Sequence, residues 1–148
     1  MKSIFDKRIR DEVISRINAV NESNTAQWGK MSLYQMLKHC TLWEEMIQGK
    51  TQYKRMFIGR LFGKMALKKV LKDEAPLRHS TPTLPELMIK ERDGNISTQK
   101  AEWILRIEKY ANFSNADFVH AFFGKMTTEQ IGYFVYKHID HHLRQFNG

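Results

Sequence analysis

Thiol groups are nearly absent from this chain: among 148 residues Cys40 is the only cysteine. No internal disulfide framework can form, and no cysteine-based zinc finger. A lone thiol suits a reducing compartment. Long apolar runs are missing as well, since nowhere do about 18 uninterrupted apolar residues occur, the length a membrane-spanning helix needs. The opening residues, MKSIFDKRIRDEV, are charged from the second position onward and hold no apolar stretch, so no signal peptide is expected. A cytoplasmic protein without a membrane partner is the expectation. Apolar and polar residues do not alternate with period two for any length, which predicts no sheet of any size. Several catalytic signatures are lacking too. There is no G-x-x-x-x-G-K-S/T phosphate loop, no G-x-S-x-G elbow and no carboxylate pair suggesting a glycosidase. Ile139 stands where an H-E-x-x-H protease would carry its glutamate.

What is present is ordinary for a soluble fold: 42% hydrophobic and 27% charged residues. A chain of 148 residues fits one domain over residues 1–148 and buries roughly 70% of its unfolded surface. The formal charge is +8, and much of the excess lies in one stretch. There Lys50, Lys54, Arg55, Arg60, Lys64, Lys68, Lys69 and Lys72 precede the first acid, Asp73. Such a run reads first as a solvated helix face, because net charge bears on solubility and steering rather than on chemistry.

Apolar spacing predicts amphipathic helices. Ile9, Val13, Ile17 and Val20 mark one from about Asp6 to Val20, ended by Asn21 to Thr25. A second starts at Ser32, where Ser32 and Gln35 form a capping box and Met31 and Met36 a hydrophobic staple. Leu33, Met36, Cys40, Trp43 and Ile47 share its inner face, with His39 at the boundary. The last helix opens with the same devices, Thr127 with Gln130 and Met126 with Ile131. Gly29-Lys-Met-Ser32 and Gly124-Lys-Met-Thr127 are nearly one phrase, which a shared capping solution explains. A further helix is expected from a Ser97 cap to about Ala111, with Ile104, Ile107 and Ala111 facing inward. Gly59 and Gly63 interrupt the pattern between Tyr53 and Lys72, so only shorter helical pieces are expected between residues 50 and 96. Pro76, Pro82, Pro85 and Asp93-Gly94 mark residues 76–96 as a long connection, with a helical turn after Pro85. Capped helices without strands predict an all-α four-helix bundle.

Histidines carry the chemistry. His79 in the connection and His120 before the last helix read as surface or local structural residues. His141 sits at the edge of an inward face, where it would cover a site without binding metal. His138 and His142 share a face of the last helix with Ile131, Phe134, Val135 and Gln145, while Asp140 points away. Their i, i+4 spacing sets the Cβ atoms about 5–6 Å apart, so two ring nitrogens can converge on one ion at about 2.0–2.1 Å. His39 from a facing helix would complete three neutral ligands. The pattern alone leaves two readings open: a metal site, or core histidines bonded to backbone and water.

Two regions carry a resemblance. Trp28-Gly-Lys-Met-Ser-Leu-Tyr-Gln-Met-Leu-Lys-His39 and His138-Ile-Asp-His-His-Leu-Arg-Gln145 resemble the two signature regions of the DinB-like (DinB/YfiT) superfamily. The fit is nearest to an uncharacterised branch in which a K-H-x-x-H-H-x-R-Q-F ending recurs. The resemblance implies a four-helix bundle with a long connection and a metal ligated by His39, His138 and His142. It implies a divalent ion, zinc or nickel first, with iron or manganese as alternatives. Its characterised relatives include thiol-dependent transferases and isomerases, and some are described as metal-dependent hydrolases. Arg144-Gln145 adjoin where many relatives have H-R-G-Q, so neither takes a role from the family.

Two functions are therefore expected in order. The first is a metal-dependent transferase or hydrolase acting on a small molecule, with a low-molecular-weight thiol as one candidate cosubstrate. A three-histidine ion with open positions activates bound water or a thiol at neutral pH. His141 or Gln145 would orient substrate or water, and no catalytic residue is assigned. The second is a non-enzymatic module whose basic residues, interleaved with Tyr53, Phe57 and Phe62, contact nucleic acid or an acidic protein. Nucleic acid ranks below the small molecule, and a homodimer is left open.

Overall fold

The computed structural model describes residues 1–79, 81 and 83–148; Ser80 and Pro82, both within the expected connection, lie outside the described residues. Five α-helices dominate: α1 (Lys7–Ala19), α2 (Leu33–Ile47), α3 (Phe57–Val70), α4 (Ile96–Glu108) and α5 (Thr128–Gln145). Asp6 caps α1, its side chain accepting from the Arg8 N–H. Both expected capping boxes are present. Ser32 and Gln35 exchange side-chain-to-backbone bonds at the start of α2, and Thr127 and Gln130 do so at α5. The glycine that opens the phrase before each box takes the same backbone region. Gly29 (φ +78°) and Gly124 (φ +82°) both take the left-handed region that glycine tolerates. The chain thus turns the same way into both helices that carry the candidate ligands.

Helix α1 packs on α4 and α5, and α2 packs on the same two, closing a ring of four around one core. Ile9, Val13 and Ile17 bury the inner face of α1. Trp103 and Ile107 do so for α4, and Met36, Leu37, Cys40, Trp43 and Ile47 for α2. The core also encloses a carboxyl group. Glu44 is wholly buried, receives a hydrogen bond from the Tyr110 hydroxyl, and burial pushes its pKa up to about 8.

Three expectations about the helices are corrected. Asn95, not Ser97, caps α4, its side chain accepting from the Thr98 N–H. Asn and Ser serve equally well as caps, so residue type alone does not choose between the two positions. Ala111 is exposed. After Glu108 the chain tightens into a 3-10 segment, Lys109–Asn112, and three residues per turn bring Tyr110 into the core instead.

The third correction is α3, one continuous helix rather than shorter pieces. Its glycines are contacts, not breaks. Gly59, Gly63 and Leu67 form its buried face, and a Cβ at either glycine would collide with the Phe122 carbonyl. Phe122 belongs to a small antiparallel hairpin, β1 (Val119–His120) with β2 (Gly124–Lys125). Strands of two residues carry no alternation to read, so the expectation of no sheet misses them. Arg55 braces this junction by donating to the carbonyls of His120, Ala121 and Phe122.

The connection after α3 contains the expected turn, a 3-10 segment at Pro85–Leu87, and is strapped to α2. The Gln35 amide donates to Ile89 O at 2.9 Å, and the Ser32 hydroxyl to Arg92 O. Leu87 is buried to 1%. Among the described residues no helix is long and apolar enough to cross a membrane.

Candidate metal centre

His39, near the middle of α2, faces His138 and His142 across the bundle, and all three are buried, at 3%, 8% and 6% exposure. The ring centroids are 5.5 Å apart for His39 and His138, 4.9 Å for His39 and His142, and 4.7 Å for His138 and His142. One ring nitrogen from each lies within 4.8 Å of those of the other two. Small ring rotations bring such a set onto one ion, whose bonds to imidazole are about 2.0–2.1 Å.

Hydrogen bonds decide which nitrogens face inward. His39 Nδ1 lies 3.0 Å from Leu87 O; a carbonyl only accepts, so Nδ1 carries the proton and Nε2 the free lone pair. His142 Nδ1 lies 3.0 Å from Gln145 Oε1. The Gln145 amide is itself oriented, because its Nε2 donates to Trp28 O at 2.9 Å, so Oε1 accepts from His142. Both rings are thereby held in the tautomer that presents Nε2 to a metal, the usual bracing of ligand histidines. His138 differs. It stacks on Trp43 at 3.9 Å and 10°, and its buried Nδ1 has no hydrogen-bond partner among the described residues. An unpaired buried nitrogen is costly, and a bound cation would satisfy it.

Electrostatics keeps the cluster neutral, the form that binds metal. Burial lowers the pKa of His142 to about 3, with the His39 ring adding to the effect. Burial lowers His138 well below the ordinary value, helped by His142 and His39. His39 is lowered by burial against the opposing bond to Leu87. Among the described residues the cluster includes no carboxylate or thiol. Three imidazoles are a donor set suited to zinc, nickel, iron or copper, so the residues fit a divalent ion. Cys40 adds nothing, since burial and then Glu44 push its thiol pKa up.

The remaining histidines divide. His141 is buried beside the cluster, 5.1 Å from the His142 ring and 5.4 Å from Trp28. His79 is exposed, yet it stacks on Trp28 at 3.8 Å. Trp28, His79 and His141 thus form an aromatic rim next to His142. His120 is local structure but not surface. It is buried, and its Nδ1 accepts from the backbone N–H groups of Phe122 and Phe123. Asp140 does point away from the histidine face, but into an ion pair with Arg16 of α1 at 2.8 Å and with Arg144 at 2.7 Å. Arg144 is therefore held at the outer side.

The braces were not readable in advance. Leu87 acts through its backbone carbonyl, which no side chain announces, and the Gln145–Trp28 bond joins residues 117 apart in sequence. The available signal was Gly29. Its left-handed turn lets the chain approach Gln145, whose amide nitrogen lies 3.0 Å from where a Cβ would stand.

A family model described as "Protein of unknown function (DUF1569)" matches residues 5–148. The chain belongs to the DUF1569 family. No curated protein and no solved structure matches it. The DUF1569 match takes in the whole helical ring, the three clustered histidines and the groups that brace them, Trp28, Leu87 and Gln145.

Proposed function

We propose that this chain holds one divalent metal ion between His39, His138 and His142 and acts through it on a small molecule, as a thiol-dependent transferase or a hydrolase. One observation carries the reading: three buried neutral imidazoles converge, two fixed with Nε2 free and the third with an unpaired nitrogen. The finer assignment, to a branch of the DinB-like superfamily, is part of the same proposal. It draws on a mid-helix histidine in the second helix, followed by H-x-x-x-H near the C-terminus of a four-helix ring.

Bound there, zinc, nickel or iron would supply Lewis acidity and lower the pKa of a water or thiol beside it. The chain's own residues do the rest. Leu87 O and Gln145 orient the His39 and His142 rings, and Trp43 fixes the plane of His138. Trp28, His79 and His141 offer aromatic faces to a substrate entering beside His142. No side chain near the cluster is assigned as general base.

The test is elemental analysis of protein purified without a polyhistidine tag and reconstituted with each metal in turn. One ion per chain is expected, lost in His142→Ala. Small thiols with electrophilic acceptors, then esters and amides, are assayed with metal, after chelation and after metal return. Failure of every metal to bind would end the proposal. Full activity after chelation would leave the ion structural and the enzymatic part wrong.

A further inference from the structure

The outer face of α3 is built the wrong way round for a helix in water. Its glycine side is packed inward, while Phe57 (75% exposed), Ile58 (58%), Leu61 (63%), Phe62 (51%) and Met65 (67%) face out. At 100° per residue these occupy one continuous arc of about 140°. Isolated exposed apolar residues are normal on protein surfaces, but a contiguous set on one helix marks an interaction site. Arg60 and Lys64 line one edge of the arc, and Lys68 and Lys69 lie on it in the last turn. No acid occurs between Met46 and Lys72. Arg60, Lys68 and Lys69 make no ion pair among the described residues.

We propose that this face of α3 docks the protein on an anionic lipid surface, the helix lying in the headgroup plane with Phe57, Leu61 and Met65 inserted and the lysines on lipid phosphates. Charge complementarity selects this occupant. A second copy packed on the same face would bring the basic residues of both helices together with no carboxylate in the stretch to neutralise them, as a two-fold contact requires. Nucleic acid would satisfy the lysines but leave Ile58, Leu61 and Met65 without a role. An anionic bilayer satisfies both features, as surface-lying basic amphipathic helices do. This departs from the expectation of no membrane partner, which rests on the missing membrane-spanning run, and surface contact needs no span. The proposal is independent of the metal centre.

The full chain is floated with vesicles of phosphatidylcholine alone and of phosphatidylcholine with phosphatidylglycerol, at low and high salt. Binding is expected only with the anionic lipid, weakening in high salt, at about fivefold in affinity per basic residue. Leu61→Ser/Met65→Ser is expected to lower affinity at least tenfold, as the inserted side chains are lost. Lys68→Glu/Lys69→Glu should match or exceed that loss. These positions are exposed, so melting temperature and metal content should stay at wild-type values in both variants. Equal binding to neutral vesicles, or none to anionic ones, overturns the proposal. So does a dimer in sedimentation that Leu61→Ser/Met65→Ser dissociates, which would make the face a contact between copies. DNA binding tighter than vesicle binding and unaffected by Leu61→Ser/Met65→Ser would assign the lysines to nucleic acid instead.

Discussion

Glu44 is a carboxylic acid kept neutral by its surroundings. With a pKa of about 8 in the folded protein, against 4.5 as its ordinary value, it binds its proton more tightly folded than unfolded. The stability this contributes is complete below about 4.5 and is lost as pH rises toward 8, a change on the order of a few kcal/mol. Glu44→Gln keeps the shape and the acceptor for Tyr110 but cannot ionise. Denaturant melts from pH 4.5 to 8 should show the variant gaining on the wild type, then a constant gap at higher pH; a gap independent of pH would contradict the assignment. At the centre, Gln145→Leu removes the acceptor that fixes the His142 tautomer. Metal affinity should fall by about 10–100-fold, the usual loss when a ligand's supporting hydrogen bond is deleted, while the fold persists. Titration with a competing chelator measures it.

At the scale of elements, what was legible was what is local. The capping boxes of α2 and α5 need only residues three apart, and both expectations hold. Helix α3 was misread because a glycine in sequence shows only an absence. The group that fills it, the Phe122 carbonyl, comes from a hairpin some 60 residues later. Ala111 was misplaced by extending a 3.6-residue period into a 3-10 segment. These corrections make a prediction about α3. In an open helix Gly→Ala stabilises by roughly 1 kcal/mol, but Gly63→Ala should destabilise by a few kcal/mol because the new methyl meets backbone that cannot rotate away. Leu61→Ala, on the exposed face, should stay within about 0.5 kcal/mol of wild type. Thermal melts of the two variants decide it.

At the scale of the whole molecule, the three histidines were legible because they combine an i, i+4 pair with a partner at a capped helix's inner edge. Their supports were not, since a backbone carbonyl and a bond across 117 residues leave no local trace. Their burial has a global cost in acid. His142 at about 3 and His120 at about 4 lie below their unfolded value of 6.5, so the unfolded chain takes up protons first. The stability involved is present above about pH 6.5 and is lost as pH falls through 4 toward 3. Metal and protons compete for the same rings. If the site holds an ion, saturation near 100 times its dissociation constant adds roughly 2.7 kcal/mol. A chelator should then lower the melting temperature of the wild type at pH 7 and leave His142→Ala nearly unchanged; equal shifts in both would remove His142 from the ligand set.

The two braced histidines also differ in how they can change over generations. His39 leans on the backbone carbonyl of residue 87, which every amino acid supplies. A point mutation there alters packing without deleting the acceptor. His142 leans on the side chain of Gln145, which a single codon change removes. Drift and selection can therefore retune one ring of the cluster and scarcely reach the other. Natural variation in how the His142 ring is held should accumulate at position 145, with position 87 varying only in size.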